Sequence, residues 1–159
     1  MNKIIVSDTG PLISWSRANQ IALLRELVLE LAVPEAVMKE LNQPGRAGAD
    51  LIGVDWIRPF ALSPSVSLAG FPAVLGDGER EAIAAAEKDG ALLLVDDLKA
   101  RAEAERRGIT CLTTLRLLYQ AKHESLIPKV APVLRQFTDT GFRLSNAIKQ
   151  QYLLGLGEV

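Results

Sequence analysis

Residues 91–107 read ALLLVDDLKARAEAERR, and Gly108 follows. An apolar run as short as Ala91–Val95, closed by acids, reads as a buried strand, and Leu98–Arg107 then carries a helical pattern until glycine stops it. The amino-terminal stretch MNKIIVSD has the same form. Its β-branched run Ile4–Val6 ends at Ser7-Asp8, and Pro11 stands where a first helical residue would, ahead of Leu12, Ile13 and Trp15. Strands separated by helices make an α/β layer fold around a mostly parallel sheet.

The rest of the chain fills in that order. Gln20–Val28 repeats Ile21, Leu24, Leu27 and Val28 at helical spacing, Leu29–Val33 reads as a strand, and Pro34 opens a helix through Leu41. Asn42–Gly53 is rich in glycine and reads as loop, with a helical turn starting at Gly48–Leu51. Trp56–Leu62 is expected as a strand. Ser63–Gly78 is the most loop-like segment, free either to move or to cover a site. A helix follows over Glu79–Asp89, then a short strand at Ile109–Leu112 and helices at Thr114–Lys122, Lys129–Thr140 and Ser145–Leu154.

At 159 residues with 48% apolar composition, the chain is sized for a single domain with one core, carrying a helical extension from about residue 127. No apolar run approaches the ~20 residues of a membrane-spanning helix, and MNKIIVSD lacks the apolar core of a signal peptide, so a cytoplasmic protein is expected. The lone Cys111 reads as a small buried side chain. A net charge of −1 gives no general attraction to a polyanion and leaves nucleic-acid binding to a local basic patch.

Ligands of open parallel sheets bind at the carboxyl ends of the strands. Asp8 and the Asp96-Asp97 pair both follow strands, so they share that edge although they are far apart in sequence. Carboxylates gathered there suit Mg²⁺ or Mn²⁺. The plainer reading is that Asp8 or Thr9, and Asp97, cap the helices they precede; Asp96, adjacent to a second acid, invites repulsion unless a cation is near. Glu79 shares a helical face with Ile83 and Ala86 and is expected to lean toward the sheet, whereas Glu81 is turned away. Glu40 alone reads as a solvated surface residue. His123 has no partner in sequence and reads as a surface residue near a helix end. Lys99, Arg101, Arg106, Arg107, Arg116 and Lys122 would guide an RNA backbone or form a solvated face with Glu103 and Glu105.

VSDTGPLI, VPEAVMKEL, GDGEREAIAAA, LLLVDDLKARAEAERRGI and GFRLSNAI, in that order over nearly the whole chain, resemble the PIN-like domains, and most closely the subgroup called DUF3368. The resemblance implies a three-layer α/β fold and a negatively charged pocket that holds one or two divalent cations, Mg²⁺ or Mn²⁺, for RNA cleavage. It places the family's acids on Asp8, Glu40, Glu79 and one of Asp96 and Asp97, with Asp8, Glu79 and the pair as metal ligands and Thr9 or Ser7 as the neighbouring hydroxyl. Val95 stands where many relatives carry threonine. A toxin of a toxin–antitoxin pair, with a small antitoxin as partner and a homodimeric state, is the further implication.

The competing readings are a PIN-like module that binds partners without catalysis, an aspartic protease and a phosphatase. Asp8-Thr9-Gly10 matches the protease triplet, but the helical periodicity argues against an all-β fold; a phosphatase would need a second acid at Gly10.

Overall fold

In the computed structural model, which describes residues 3–158, β1 (Ile5–Ser7) is the central strand of an all-parallel sheet ordered β3-β2-β1-β4-β5. The other strands are β2 (Leu31–Pro34), β3 (Ile57–Phe60), β4 (Leu92–Leu94) and β5 (Cys111–Leu112). Helices α1 (Thr9–Arg17) and α2 (Ile21–Val28) connect β1 to β2, and α3 (Glu35–Leu41) follows β2. Beyond a 3₁₀ turn at Ala49–Leu51 and β3 come α4 (Asp77–Asp89) and, after β4, α5 (Leu98–Arg106). The chain ends in α6 (Thr114–His123), α7 (Ala131–Asp139) and α8 (Asn146–Gly155). Laying β2 and β3 on one side of β1 and β4 and β5 on the other opens a crevice between the carboxyl ends of β1 and β4.

Alternation along the strands divides the core into two layers, as period-two side-chain direction requires. Val6, Leu93 and Val95 meet Ala82, Ile83 and Ala86 of α4 and Ala100 and Ala104 of α5. Leu31, Val33 and Leu94 meet Leu12 and Trp15 of α1, Leu24 of α2, Leu118 of α6 and Phe137 of α7. Trp15 lies edge-on to Phe137 with ring centroids 4.9 Å apart, and its indole N–H donates to Thr114 Oγ1 at 3.1 Å. The three-layer α/β arrangement expected from the sequence is the one observed.

Local departures have identifiable causes. Leu29 does not begin β2. It is the centre of a tight turn with φ 62° and ψ −47°, closed by Glu30 N–H donating to the Val28 carbonyl, and its side chain is exposed. The 61–76 loop is anchored rather than loose: Leu75 is buried, and Phe71 packs on the α4–α5 layer beneath the Arg107 guanidinium, 3.8 Å from its ring centroid. Cys111 is half-buried, not fully buried, because β5 is an edge strand. Among the described residues no helix is long and apolar enough to cross a membrane.

The carboxyl-terminal segment is fastened by polar contacts. Tyr152 donates to the Leu115 carbonyl at 2.5 Å, while Leu153 and Leu156 pack against the core layer of α1, α2, α6 and α7 and Ile148 and Leu154 stay exposed. Glu158 accepts from Val130 N–H at 2.9 Å, Ala131 N–H at 2.8 Å and Lys122 Nζ at 2.8 Å, so it closes the start of α7. Burial opposes its charge, but Lys122 and the two amides prevail and hold its pKa below the ordinary 4.5. A depressed carboxylate stabilises the fold above its unfolded pKa and loses that effect as pH falls through the folded one. Glu158→Ala is expected to lower unfolding free energy by about 2–4 kcal/mol in urea titrations at pH 7, with a smaller difference in acid.

Candidate active site

Asp8, Glu40, Glu79 and Asp97 line one cleft of about 260 Å³, together with Thr9, Gly76 and Arg46. Each acid arrives on a different element. Asp8 follows β1 and is set by the sheet itself, because its N–H donates to the Leu94 carbonyl at 3.0 Å. It occupies the position before α1, yet its side chain makes no capping hydrogen bond. Burial, only partly offset by the Thr9 N–H and then reinforced by the charges of Glu79, Glu40 and Asp97, pushes its pKa to about 7.

Glu40, expected on the surface when read alone, is half-buried and bridges two helix starts. Its Oε2 accepts from Thr9 Oγ1 at 2.5 Å, and its Oε1 accepts from Gly78 N–H at 3.2 Å, placing the anion where the amino-terminal ends of α1 and α4 converge. Gly78 makes the approach possible, since a Cβ there would stand 2.8 Å from Glu40 Oε1. The sequence signal for Glu40 was its place one residue before buried Leu41 and three after buried Val37, at the border of the apolar stripe of α3.

Glu79 faces the cleft from the first turn of α4, as its helical position predicted, and reaches back to accept from Gly76 N–H at 2.9 Å. Burial raises its pKa, the Gly76 N–H opposes, and Asp97 and Glu40 add to the rise. Glu81 is also drawn inward, on the opposite flank, where it accepts from Ala36 N–H at 3.2 Å. Its half-burial was not expected from facing, because α3 packs against that side of α4.

The structure separates the two adjacent acids. Asp97 is exposed, lines the cleft and also caps α5 by accepting from Ala100 N–H at 2.9 Å, so the cap and site readings describe one carboxylate. Asp96 turns to α6: its Oδ1 accepts from Thr114 N–H at 2.8 Å and its Oδ2 from Thr114 Oγ1 at 2.6 Å. Burial raises the Asp96 pKa against these two hydrogen bonds. With Trp15 donating to the same hydroxyl, a polar chain runs from α1 through Thr114 to Asp96.

Most of the basic residues following the acidic pair are committed elsewhere. Arg106 and Arg107 both donate to Glu103, whose carboxyl they hold at about 2, and Arg107 also pairs with Glu87. Arg101 stands 3.9 Å from Glu105, Arg116 lies over Tyr119, and Lys122 serves Glu158. His123 stacks on Tyr119 at the far end of α6. Lys99 alone of that group reaches the site region, where it lines a second chamber of about 490 Å³ that shares Glu79 and Asp97 with the acidic cleft. Sequence reasoning missed Arg46, on the acidic cleft, and Arg143, on the second chamber. Arg46 was hidden in a glycine-rich loop, while Arg143 lay in plain view in the GFRLSNAI tail.

A larger groove of about 800 Å³ lies at the opposite edge of the sheet, by Ile4, Leu29 and Leu92, and is lined by Glu26, Glu30 and Glu124 beside Lys3. The smaller cleft is the candidate because it lies at the carboxyl ends of β1 and β4, where open parallel sheets bind ligands. Among the described residues, no three His, Cys, Asp or Glu side chains converge closely enough to clasp one ion. The lining, four carboxylates with Thr9 and Arg46 but without histidine or cysteine, would suit a hard cation that keeps several of its waters rather than a tetrahedral zinc centre.

The raised Asp8 pKa has a thermodynamic consequence. Its proton is held to about pH 7 in the folded chain but released near 3.8 when unfolded, so this group's contribution to stability is full below pH 3.8 and is lost as pH rises toward 7. Without divalent ions, Asp8→Asn is expected to be more stable than the wild type at pH 8 by a few kcal/mol, roughly. The gap should close near pH 4, as read by thermal unfolding across pH.

A family model described as DUF3368: PIN domain matches residues 4–158. No curated protein and no solved structure matches the chain. PIN domains are generally nucleases, and the crevice with its carboxylates lies where such a fold binds ligands. On a match that spans nearly its whole length, the chain belongs to the DUF3368 family of PIN domains.

Proposed function

We propose that the protein is a metal-dependent endoribonuclease that hydrolyses RNA phosphodiester bonds at the cleft of Asp8, Glu40, Glu79 and Asp97. The observation that carries this reading is the gathering of four carboxylates from separate elements against their mutual repulsion, with Asp8 pushed to about 7. Such an arrangement costs stability unless a cation is drawn into it.

A bound Mg²⁺ or Mn²⁺ would supply a water acidic enough to attack at neutral pH and would neutralise charge on the phosphate. Asp8, Glu79 and Asp97 would hold it. Asp96 is occupied by Thr114 through both oxygens and serves the fold. Glu40, fixed by Thr9 and Gly78, is placed to orient a water, and Arg46 to receive a substrate phosphate. The Thr9 hydroxyl is committed to Glu40, and the reaction in this reading is direct hydrolysis by water, with the carboxylates holding the cation rather than attacking the phosphate.

One observation favours a second reading. The carboxylates do not converge into a tight metal cage, as would suit a PIN-like module that has kept the fold for partner binding alone. The family resemblance further suggests the toxin of a toxin–antitoxin pair, acting as a homodimer and restrained by a small antitoxin.

The deciding assay is cleavage of a panel of RNAs with Mg²⁺ or Mn²⁺. Wild type is expected to cut, and Asp8→Asn and Asp97→Asn to lose at least about 100-fold in rate, because removing charge from a metal-holding or transition-state group has effects of that order. Asp97→Asn should keep its melting temperature, as asparagine also caps helices. Asp96→Ala should instead lose stability, by about 2 kcal/mol, through the unpaired Thr114 groups. Wild type inert on every RNA at saturating metal would leave the binding module as the surviving reading. For the toxin role, overexpression is expected to arrest growth, and uninhibited growth would refute it.

A further inference from the structure

The chamber beside the acidic cleft differs from it in kind. Glu79 and Asp97 form the shared wall, and the remaining lining includes Val74, Leu75, Leu98, Lys99 and Arg143. Lys99 and Arg143 are exposed, and among the described residues neither forms a salt bridge, in contrast to Arg106, Arg107 and Lys122. Leu98 and Val74 are 69% and 60% exposed, so the chamber presents aliphatic surface next to uncommitted positive charge. Both apolar side chains are held open by anchored neighbours. Leu98 begins α5 directly after its cap Asp97, and Val74 precedes Leu75, which is buried.

We propose that this second chamber binds the nucleotide adjacent to the phosphate that is cut, with its phosphate on Lys99 and Arg143 and its base against Leu98 and Val74. The proposal deepens the nuclease reading and takes from it that the ligand is RNA. At about 490 Å³ the chamber falls within the roughly 300–1,000 Å³ of small-ligand sites. A base reaches an aliphatic wall only when it is unstacked, so the occupant is single-stranded. Beyond the shared wall and the two cations given to the phosphate, the polar side chain in the lining is Asp96, whose oxygens are taken by Thr114, so base identity is read weakly. Arg46 on the acidic cleft gives the neighbouring phosphate a cation of its own. The strand would then meet positive charge in both compartments, with the acids between phosphate contacts.

The test is fluorescence anisotropy of a short, unstructured, end-labelled RNA in an Asp8→Asn background, over a series of salt concentrations, beside cleavage by the chain with Asp8 intact. Lys99→Ala/Arg143→Ala is expected to weaken binding by about tenfold and to flatten the slope of log affinity against log salt by about 0.7, the value for loss of one phosphate contact on a single strand. Leu98→Ser should weaken binding several-fold without changing that slope. Lys88→Ala, exposed near the far end of α4, should alter neither quantity. If the double variant keeps the parent's affinity and slope, or if duplex RNA of the same sequence binds as tightly as the single strand, the proposal is overturned. Cleavage by the chain with Asp8 intact together with either result sinks the chamber and spares the nuclease reading. Weakened binding by the double variant, with no cleavage by the Asp8 chain, sinks the nuclease reading and leaves the chamber as an RNA site.

Discussion

The parallel pairing of β1 with β4 is the constraint on which the site depends. Ile5, Val6 and Ser7 stand opposite Leu92, Leu93 and Leu94, and the Asp8 N–H extends the ladder to the Leu94 carbonyl. That register sends Asp8 and the Val95-Asp96-Asp97 segment out of the sheet at the same level. A slip of one residue would turn Val6 and Leu93 toward the wrong core layer, so apolar burial in both layers fixes where the acids emerge. The hydrophobic core thus sets the position of groups that would otherwise move apart.

The acids so placed work against the fold that places them. Burial of Asp8 beside three other carboxylates is unfavourable for its charged form. Hydrogen bonding around the cleft offsets part of this cost: Glu40 lies between the starts of α1 and α4, and Glu79 takes the Gly76 amide. Asp96, one residue from the cleft, is tied into the Trp15–Thr114 chain and strengthens the scaffold. Neighbouring residues of identical chemistry thereby differ in placement: Asp97 lines the opening while capping α5, and Asp96 gives both its oxygens to Thr114.

How much could be read in advance follows the range of the forces involved. Strands, helices and the shared edge of Asp8 and Asp97 were legible because alternation, helical spacing and acids after apolar runs are local patterns. The inward lean of Glu79 was legible for the same reason. The distinction between Asp96 and Asp97 was not, since it is made by Thr114 on another helix. Glu40 could be placed by resemblance, but its partners Thr9 and Gly78 meet only after α1, α3 and α4 assemble. The basic cluster misled because a run of positive letters does not reveal that Glu103, Glu87 and Phe71 have already claimed two of its members. Leu29 looked like strand by composition, while the close spacing of α2 and β2 imposed a turn that composition does not encode.

The bare backbone of Gly78 gives this junction a built-in spectroscopic reporter. Its amide hydrogen is held by a carboxylate from a different helix, and no side chain of its own shields it. The rate at which that single hydrogen exchanges with deuterated solvent therefore measures how often α3 and α4 part at the cleft. The breathing of the site is thus accessible without substrate or catalytic turnover.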